Sequence, residues 1–220
     1  MGKGARVEAV EKAITRAMVT RDVRRVEYAA NVAEAVGPLE HGFEIYGLAR
    51  GQYSLIDLIE YVLGTIGPAH LVISTWTAAG TDIEYALRLC HDGRVLGVRW
   101  LVDSSFPSRQ PGYCAALRAR FGDDCIRVTK NHAKFVLLGN ADWHVVLRTS
   151  MNLNENKRLE SWELSDDRVF FDYLTEVIER LFEESTVSLD SAKPDSDAWR
   201  EFTKESEDRI AKTPRIRYVK

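Results

Sequence analysis

Apolar and polar residues follow a helical period at the start of the chain. Over residues 5–36, apolar side chains recur at steps of three and four with Arg and Glu between them, which predicts one amphipathic helix or two. Gly37-Pro38 ends this pattern. We expect residues 1–42 to form a helical extension that docks on the rest of the chain, with a dimer contact as the alternative.

The pattern then changes to short apolar runs that alternate with amphipathic stretches. The predicted strands are 43–49, 70–76, 95–103 and 125–130, and the predicted helices are 54–64, 81–90 and 112–122. Ser54 is placed as an N-cap, and Gly122 is placed to end the last of these helices. Strands that alternate with helices indicate βαβ units and a largely parallel sheet.

Beyond residue 130 the alternation stops. Three strand-like runs follow one another, at 134–139, 144–149 and 161–165, and a helix is predicted at 166–185. The fold class is therefore α/β, with a mixed β-sheet flanked by helices on both faces. Residues 186–220 predict a polar linker, then a C-terminal helix, then a basic tail that is either solvated or in contact with a phosphate backbone.

The composition limits the classes of partner. The 220 residues are 45% hydrophobic, enough for a core that excludes water from a site. The net charge of -3 rules out a global positive field, so a nucleic acid would have to bind through local basic patches. We expect a soluble cytoplasmic protein for three reasons. The three cysteines have no metal-like spacing, the N-terminus has no signal-peptide pattern, and no apolar run is long enough for a membrane helix.

Polar side chains that suit phosphate chemistry lie on either side of a predicted strand pair. They are His132, Lys134, Ser150, Asn152 and Glu160. The first two are two residues apart, so on a strand their side chains share one face, and the serine and asparagine have the same spacing. If the runs 134–139 and 144–149 pair as neighbours, these residues meet at one edge of the sheet.

This order of residues resembles the phospholipase D superfamily, whose hallmark is HxKxxxxD followed by GSxN and a later Glu. The motif here reads His132-Ala-Lys134, then Thr149-Ser150-Met151-Asn152, then Glu160. The resemblance covers residues 43–185, and it is to the nuclease-like branch with a single HxK motif, of phage and bacterial type. The sequence departs from the pattern at Gly139, which stands at the Asp position, and at Thr149, which replaces a Gly. Asp142 is the candidate to take over a structural role of the missing Asp.

The resemblance, together with the chemistry of phosphodiesters, implies a role for each residue. A neutral imidazole, that of His132, attacks phosphorus and forms a phosphohistidine. Lys134 and Asn152 hold the nonbridging oxygens, and Ser150 adds a hydroxyl. Glu160 orients an imidazole. The scheme needs no metal or cofactor, but it needs a second histidine, and the family's answer implies a homodimer with one composite site at its interface.

The function that follows is a metal-independent phosphodiesterase, in the first place a nuclease that acts on DNA rather than RNA. Arg148, Lys157 and Arg158 are expected to bind substrate phosphates, with a solvated charge cluster as the alternative. Two alternative functions are a non-catalytic nucleic-acid-binding dimer, motivated by Gly139, and a hydrolase of phospholipids or other small phosphodiesters.

Three further residues carry open alternatives. Glu163 competes with Glu160 for the carboxylate role. Trp76 is predicted to pack in the core, with a place at the mouth of the site as the alternative. His144 starts a strand after a turn and is expected to have no special role.

Overall fold

The structure is a computed structural model, which describes residues 23–154 and 157–184. The strands of this part are β1 Val23–Glu27, β2 Glu44–Ala49, β3 Ala69–Thr75, β4 Val95–Asp103, β5 Ile126–Thr129, β6 Phe135–Gly139, β7 His144–Thr149 and β8 Glu160–Asp166. The helices are α1 Val32–Val36, α2 Leu55–Ile66, α3 Gly80–His91, α4 Phe106–Arg109, α5 Pro111–Phe121 and α6 Arg168–Glu184.

The strands form one sheet in the order β1-β2-β8-β7-β6-β3-β4-β5. The neighbours β3, β4 and β5 run parallel, as do β1 and β2, because helices connect them. The strands β6, β7 and β8 pair antiparallel with their neighbours. The predicted change from alternating helices and strands to consecutive strands is confirmed, and the mixed α/β sheet with it.

Helices cover both faces of the sheet. The main core lies under α2, α3 and α5, where α2 buries a nearly continuous apolar stripe against one face of the sheet. The amphipathic helix α6 packs against β7 on the other face, with Ile178 buried there. Ser54 caps α2, as the sequence predicted, and the structure adds a capping box with Asp57. Gly122 ends α5 with a φ of 79°, a conformation that favours glycine.

The strand directions bring one end of each of the eight described strands to one edge of the sheet, which we call the site edge. The register pairs Ser74 with Phe135, so the end of β3 meets the start of β6, and the end of β4 lies alongside because β4 runs parallel to β3. Phe135 pairs with Arg148 near the end of β7, and Ala49 at the end of β2 pairs with Glu160 at the start of β8. Loops that carry different parts of the motif therefore meet there. The other ends of these strands form the opposite edge.

The helix predicted over residues 5–36 is wrong for its middle part. Val23–Glu27 is strand β1, which pairs in parallel with β2, and of residues 23–36 only Val32–Val36 are helical. Arg24 donates from its guanidinium to the backbone oxygens of Val36, at 2.7 Å, and Glu34, at 2.9 Å. A segment with a helical spacing of apolar residues can still form a strand when a sheet edge is available for pairing, because valine favours strands.

Several predicted segments lie outside the described residues. They are residues 1–22, the linker at 186–198, the C-terminal helix and the basic tail. The boundaries at residues 42 and 185 stay predictions. None of the helices in the described part of the chain has the length and apolar character required to cross a membrane. Cys90, Cys114 and Cys125 are free thiols.

Candidate active site

His132 and Lys134 lie in the connection that leads into β6. The sequence placed them on a strand, but β6 begins at Phe135, and residues 131–134 have no regular structure. Lys134 Nζ donates to the backbone oxygen of His132 at 3.0 Å and lies 3.5 Å from His132 Nδ1. The ammonium and the imidazole are therefore neighbours, as predicted, although a loop rather than a pleat brings them together.

Asn131 fixes the conformation of this connection, a role that the sequence pattern did not indicate. Its buried carboxamide donates to Ser74 Oγ at 3.0 Å and to the Leu101 oxygen at 3.2 Å, and it accepts from the Ala133 nitrogen at 3.0 Å. Ser74 Oγ in turn donates to the Ala133 oxygen at 2.9 Å. These side-chain bonds take the place of the backbone bonds of a strand pair. Residues 131–134 are therefore not part of the sheet, and β6 begins after them. An amide residue between an apolar strand and the motif is the signal that could have indicated this loop.

Lys134 lies within electrostatic reach of Glu160. Burial lowers the pKa of Lys134 below its usual value, and the negative charge of Glu160 opposes that effect. The charge of Glu160 thus favours the protonated ammonium. A lysine that points from the start of β6 and a glutamate at the start of β8 approach each other because both strands start at the site edge.

Glu160 is buried and bound to Ser150. Ser150 Oγ donates to Glu160 Oε2 and accepts from the Ser161 nitrogen at 2.9 Å. Glu160 and Glu163 point to opposite faces of β8, because side chains alternate along a strand. Glu163 forms an ion pair with Arg148 on the neighbouring strand, on the face that α6 covers. Of the two carboxylates, Glu160 is the one beside the motif serine and lysine.

Asn152 lies between the end of β7 and the loop after β3. The nitrogen of the next residue, Leu153, donates to the Thr77 oxygen at 3.3 Å, and the Leu153 oxygen accepts from the Ala79 nitrogen at 2.7 Å. Thr149 donates from its nitrogen to the Lys134 oxygen at 3.1 Å, so the same segment is also tied to the motif loop. The Asn152 Oδ1 atom is shielded from solvent and has no hydrogen-bond partner among the described residues. A buried carbonyl oxygen without a partner is costly in a folded protein, and only a hydrogen-bond donor can satisfy it.

Trp76 lines the site rather than the core, so the prediction of core packing is wrong. Its side chain is only half-buried, and its ring meets the His132 ring at an angle of 61° with 5.9 Å between the centroids. Trp76 follows the last residue of β3, so its side chain leaves the sheet at the site edge. The apolar run alone could not show that the last ring in it faces the motif histidine.

The three predicted substrate-binding residues lie around the site without entering it. Arg148 is paired with Glu163, and its guanidinium lies 5.1 Å from the centroid of the Phe170 ring. Lys157 and Arg158 are exposed in the segment that precedes β8. Their contact with substrate stays a prediction. Across residues 23–154 and 157–184, no cluster of histidine, cysteine, aspartate and glutamate could hold a metal ion.

Gly139, at the motif position of the missing Asp, lies at the opposite edge. A Cβ atom on Gly139 would come within 2.5 Å of the Phe171 ring, so the helix α6 occupies the space of a side chain there. Asp142 belongs to the following turn, where Asn140 Oδ1 accepts from the nitrogens of Asp142 and Trp143, each at 3.0 Å. The whole length of β6 separates both positions from His132.

All five histidines of the sequence fall within the described residues, and His132 alone lies at the site edge. The other four lie at the opposite edge: His41 contacts Asp166, His70 and His144 pair with Gly139, and His91 ends the helix that leads back to β4. A reaction that needs two histidines therefore cannot take both from one copy of this sheet edge.

No family model matches the chain, and no curated protein is detectably similar to it in sequence. Among solved structures, similarity is found to a phospholipase D family member, Nuc, from Salmonella typhimurium, at 13% identity and a TM-score of 0.49, over 64% of this chain and 95% of that one. NucT from Helicobacter pylori is similar at 13% identity and a TM-score of 0.42, over 64% and 98% of the two chains. Phosphatidylserine synthase from Haemophilus influenzae is similar at 16% identity and a TM-score of 0.47, over 77% of this chain and 46% of that one.

The sequence similarity to these structures is low, and the motif residues themselves are the more specific signal. They occur in the expected order, and the sheet brings their loops to one edge. In the order of its motif residues, this chain resembles the phospholipase D superfamily.

Proposed function

We propose that the chain is a metal-independent phosphodiesterase that cleaves nucleic acid, with DNA as the first substrate class to test. The observation that carries the proposal is the convergence of an imidazole, an ammonium, a carboxamide and a buried carboxylate at one sheet edge, from three separate segments. Fixed donors around a solvent-open imidazole suit the charge that develops on a phosphoryl group during displacement.

The proposed reaction proceeds in two displacements at phosphorus. A ring nitrogen of His132 attacks, the bond to the leaving oxygen breaks, and a phosphohistidine forms. Lys134 and the carboxamide of Asn152 hold the nonbridging oxygens. Water then attacks the phosphohistidine, which releases a phosphomonoester and regenerates the imidazole. Glu160 keeps the nearby Lys134 protonated, and Ser150 fixes the position of that carboxylate.

The leaving oxygen needs a proton, and a second copy of the chain can supply it. The four other histidines of one copy lie at the opposite edge, so the acid is proposed to be His132 of the second copy, brought in by a twofold axis at the site edge. The same imidazole then removes a proton from the attacking water. The homodimer is therefore part of the proposed function, because each chain holds only half of the acid–base pair.

The direct test uses DNA and bis(p-nitrophenyl) phosphate in the presence of excess EDTA. Wild-type protein is expected to cleave both, and His132→Ala is expected to cleave neither. An acid-labile, alkali-stable phosphoryl label on the wild-type chain, absent from His132→Ala, identifies the covalent intermediate. Loss of turnover on chelation, or turnover that survives the substitution, contradicts the proposal.

The dimer is tested by mixing chains. A heterodimer of wild type and His132→Ala has one imidazole in its shared site and is expected to be inactive, so activity in equilibrated mixtures should fall as the square of the wild-type fraction. A linear fall, which is what independent sites produce, contradicts a shared site. An excess of His41→Ala chains serves as the matched control, because His41 lies at the opposite edge.

Binding without turnover is the alternative motivated by Gly139. The position of Gly139 speaks against it, because no group there can reach the phosphate at the other end of β6. Retained, salt-sensitive DNA binding with no product and no phosphoryl label would favour this alternative. A panel of phospholipids and other small phosphodiesters tests the remaining one.

A further inference from the structure

Arg109 and Trp76 place a second cation beside the motif histidine. Arg109 is the last residue of α4, which follows β4, and Trp76 follows β3, so both side chains belong to the site edge. The guanidinium carbon of Arg109 lies 3.6 Å from the centroid of the indole, and the indole meets the ring of His132 edge-on. One indole ring therefore separates the cation from the imidazole.

The guanidinium is held in a fixed orientation by two hydrogen bonds as well as by stacking. Its Nε donates to Ser105 Oγ at 2.8 Å, and its Nη2 donates to the Trp76 oxygen at 3.1 Å. Ser105 Oγ donates to one oxygen of Asp103, and the other oxygen accepts from the Asn131 nitrogen at 3.0 Å. The same carboxylate thus orients Arg109 and the loop that carries the motif histidine.

The charge of Arg109 is only partly balanced by the protein. Burial alone would raise the pKa of Asp103, but hydrogen bonds from Ser105 and Asn131 and the charge of Arg109 lower it. Within the described residues, Arg109 forms no ion pair within 4.0 Å, and its two hydrogen bonds leave the other N–H donors of an exposed guanidinium unused. A pre-oriented planar fork of this kind suits a phosphate oxygen pair.

We infer that Arg109, oriented by Trp76 and Ser105, binds a phosphate adjacent to the scissile one, so that a polynucleotide strand is preferred as substrate over an isolated phosphodiester. The inference rests on the proposed function, because it takes the scissile phosphate to lie at His132. Phosphates recur along one strand about every 3.4 Å of helix axis, so a strand bound at His132 carries further phosphates toward Arg109. The contacts of Trp76 with Arg109 on one side and with His132 on the other hold the cation close to the imidazole.

The kinetic test compares a substrate that has flanking phosphates with one that has none. Arg109→Gln is expected to lower the ratio of kcat/KM for a single-stranded oligonucleotide to kcat/KM for bis(p-nitrophenyl) phosphate by about tenfold, and Arg109→Lys by less, since it keeps the charge but not the fork. If Arg109 only positions His132, activity falls equally on both substrates and the ratio stays constant. A constant ratio therefore overturns the inference.

A binding measurement keeps the test independent of turnover. In a His132→Ala background, Arg109→Gln is expected to weaken binding of a single-stranded oligonucleotide and to reduce the slope of log K against log salt by about 0.7, the value for one phosphate contact. The matched control is Arg168→Gln, which removes an exposed arginine of the same charge at the opposite edge. A slope that Arg109→Gln does not change, or that Arg168→Gln changes equally, overturns the inference. If Arg109→Gln lowers the slope but the wild-type protein forms no phosphohistidine, only the proposed reaction is contradicted.

Discussion

Each of the two edges of the sheet holds a histidine among polar side chains, but the polar atoms of the two edges are satisfied differently. At the opposite edge, His41 Nδ1 lies 3.1 Å from Asp166, its ring stacks on Trp143 at 4.0 Å, and Asp166 also accepts from the nitrogens of Gly42 at 3.0 Å and His144 at 3.1 Å. Each oxygen of the Asp166 carboxylate has a fixed donor. That arrangement ties the loop before β2 to the start of β7 and the end of β8 and serves stability.

At the site edge, the protein leaves polar groups available. Lys134 bonds only a backbone oxygen and lies near an imidazole, and Arg109 keeps unused donors, both within the described part of the chain. Cations that are oriented but not neutralised are what an anionic ligand requires. A histidine–carboxylate pair alone is therefore a poor sign of a site. What distinguishes a site for an anion is that the surrounding hydrogen-bond donors are left unpaired.

The largest expected effect follows from removing the imidazole at the site edge. His132→Ala should lower kcat for phosphodiester cleavage by about 10³-fold or more, because it removes the nucleophile. His41→Ala, the corresponding change at the opposite edge, should retain wild-type turnover once the protein is folded. Steady-state kinetics on bis(p-nitrophenyl) phosphate measure both variants, and equal losses would erase the distinction between the two edges.

The next effect comes from the carboxylate of Glu160. Glu160→Gln should lower kcat by about 10- to 100-fold. Since Glu160 raises the pKa of Lys134 against the effect of burial, its loss lets that pKa fall further, so the alkaline limb of the pH–rate profile should move to lower pH. Glu163→Gln, on the other face of β8, should leave the profile in place. An alkaline limb that does not move in Glu160→Gln contradicts the coupling.

A substitution at the opposite edge should change the stability of the fold rather than the activity. Asp166→Asn should reduce the free energy of unfolding at neutral pH by about 2 kcal/mol, the size expected for hydrogen bonds to a charged group. Burial alone would raise the pKa of Asp166, but the bonds from Gly42, His144 and His41 lower it. The carboxylate therefore contributes its full stability above the unfolded pKa of about 3.9 and loses it as the pH falls through the lower folded value.

Urea denaturation of wild type and Asp166→Asn over a range of pH measures this contribution. The difference between the two proteins should be constant near neutral pH and shrink in acid. A difference that grows as the pH falls would mean that the folded pKa of Asp166 is raised.

The smallest effect concerns the missing motif aspartate. Gly139→Asp should destabilise the fold by about 1 kcal/mol and should not raise activity, because the new Cβ lies 2.5 Å from the Phe171 ring and far from His132. The double variant with Phe171→Ala should recover part of the strain and show a coupling energy in a double-mutant cycle. A rise in kcat for Gly139→Asp would show that the opposite edge acts on the chemistry after all.

Local sequence patterns were sufficient for most elements of the fold. The strand Val95–Asp103 and the cap at Ser54 are found where the sequence predicts them, because side-chain period and capping chemistry are properties of a few neighbouring residues. The order of the motif segments likewise predicted a common sheet edge for Lys134 and Asn152. The segment at Val23 was predicted incorrectly, because its strand forms only by pairing with β2, a contact that no local pattern contains.

The sequence by itself determined the mixed α/β sheet and which residue types gather for phosphate chemistry. Tertiary structure alone decided that Glu160 and not Glu163 lies beside Ser150, that Phe171 occupies the space next to Gly139, and that Arg109 stacks on Trp76. The physical reason is that strand register and packing join residues far apart in the chain. A shift of one residue in the register of β8 would turn Glu160 and Glu163 to the other faces of the sheet.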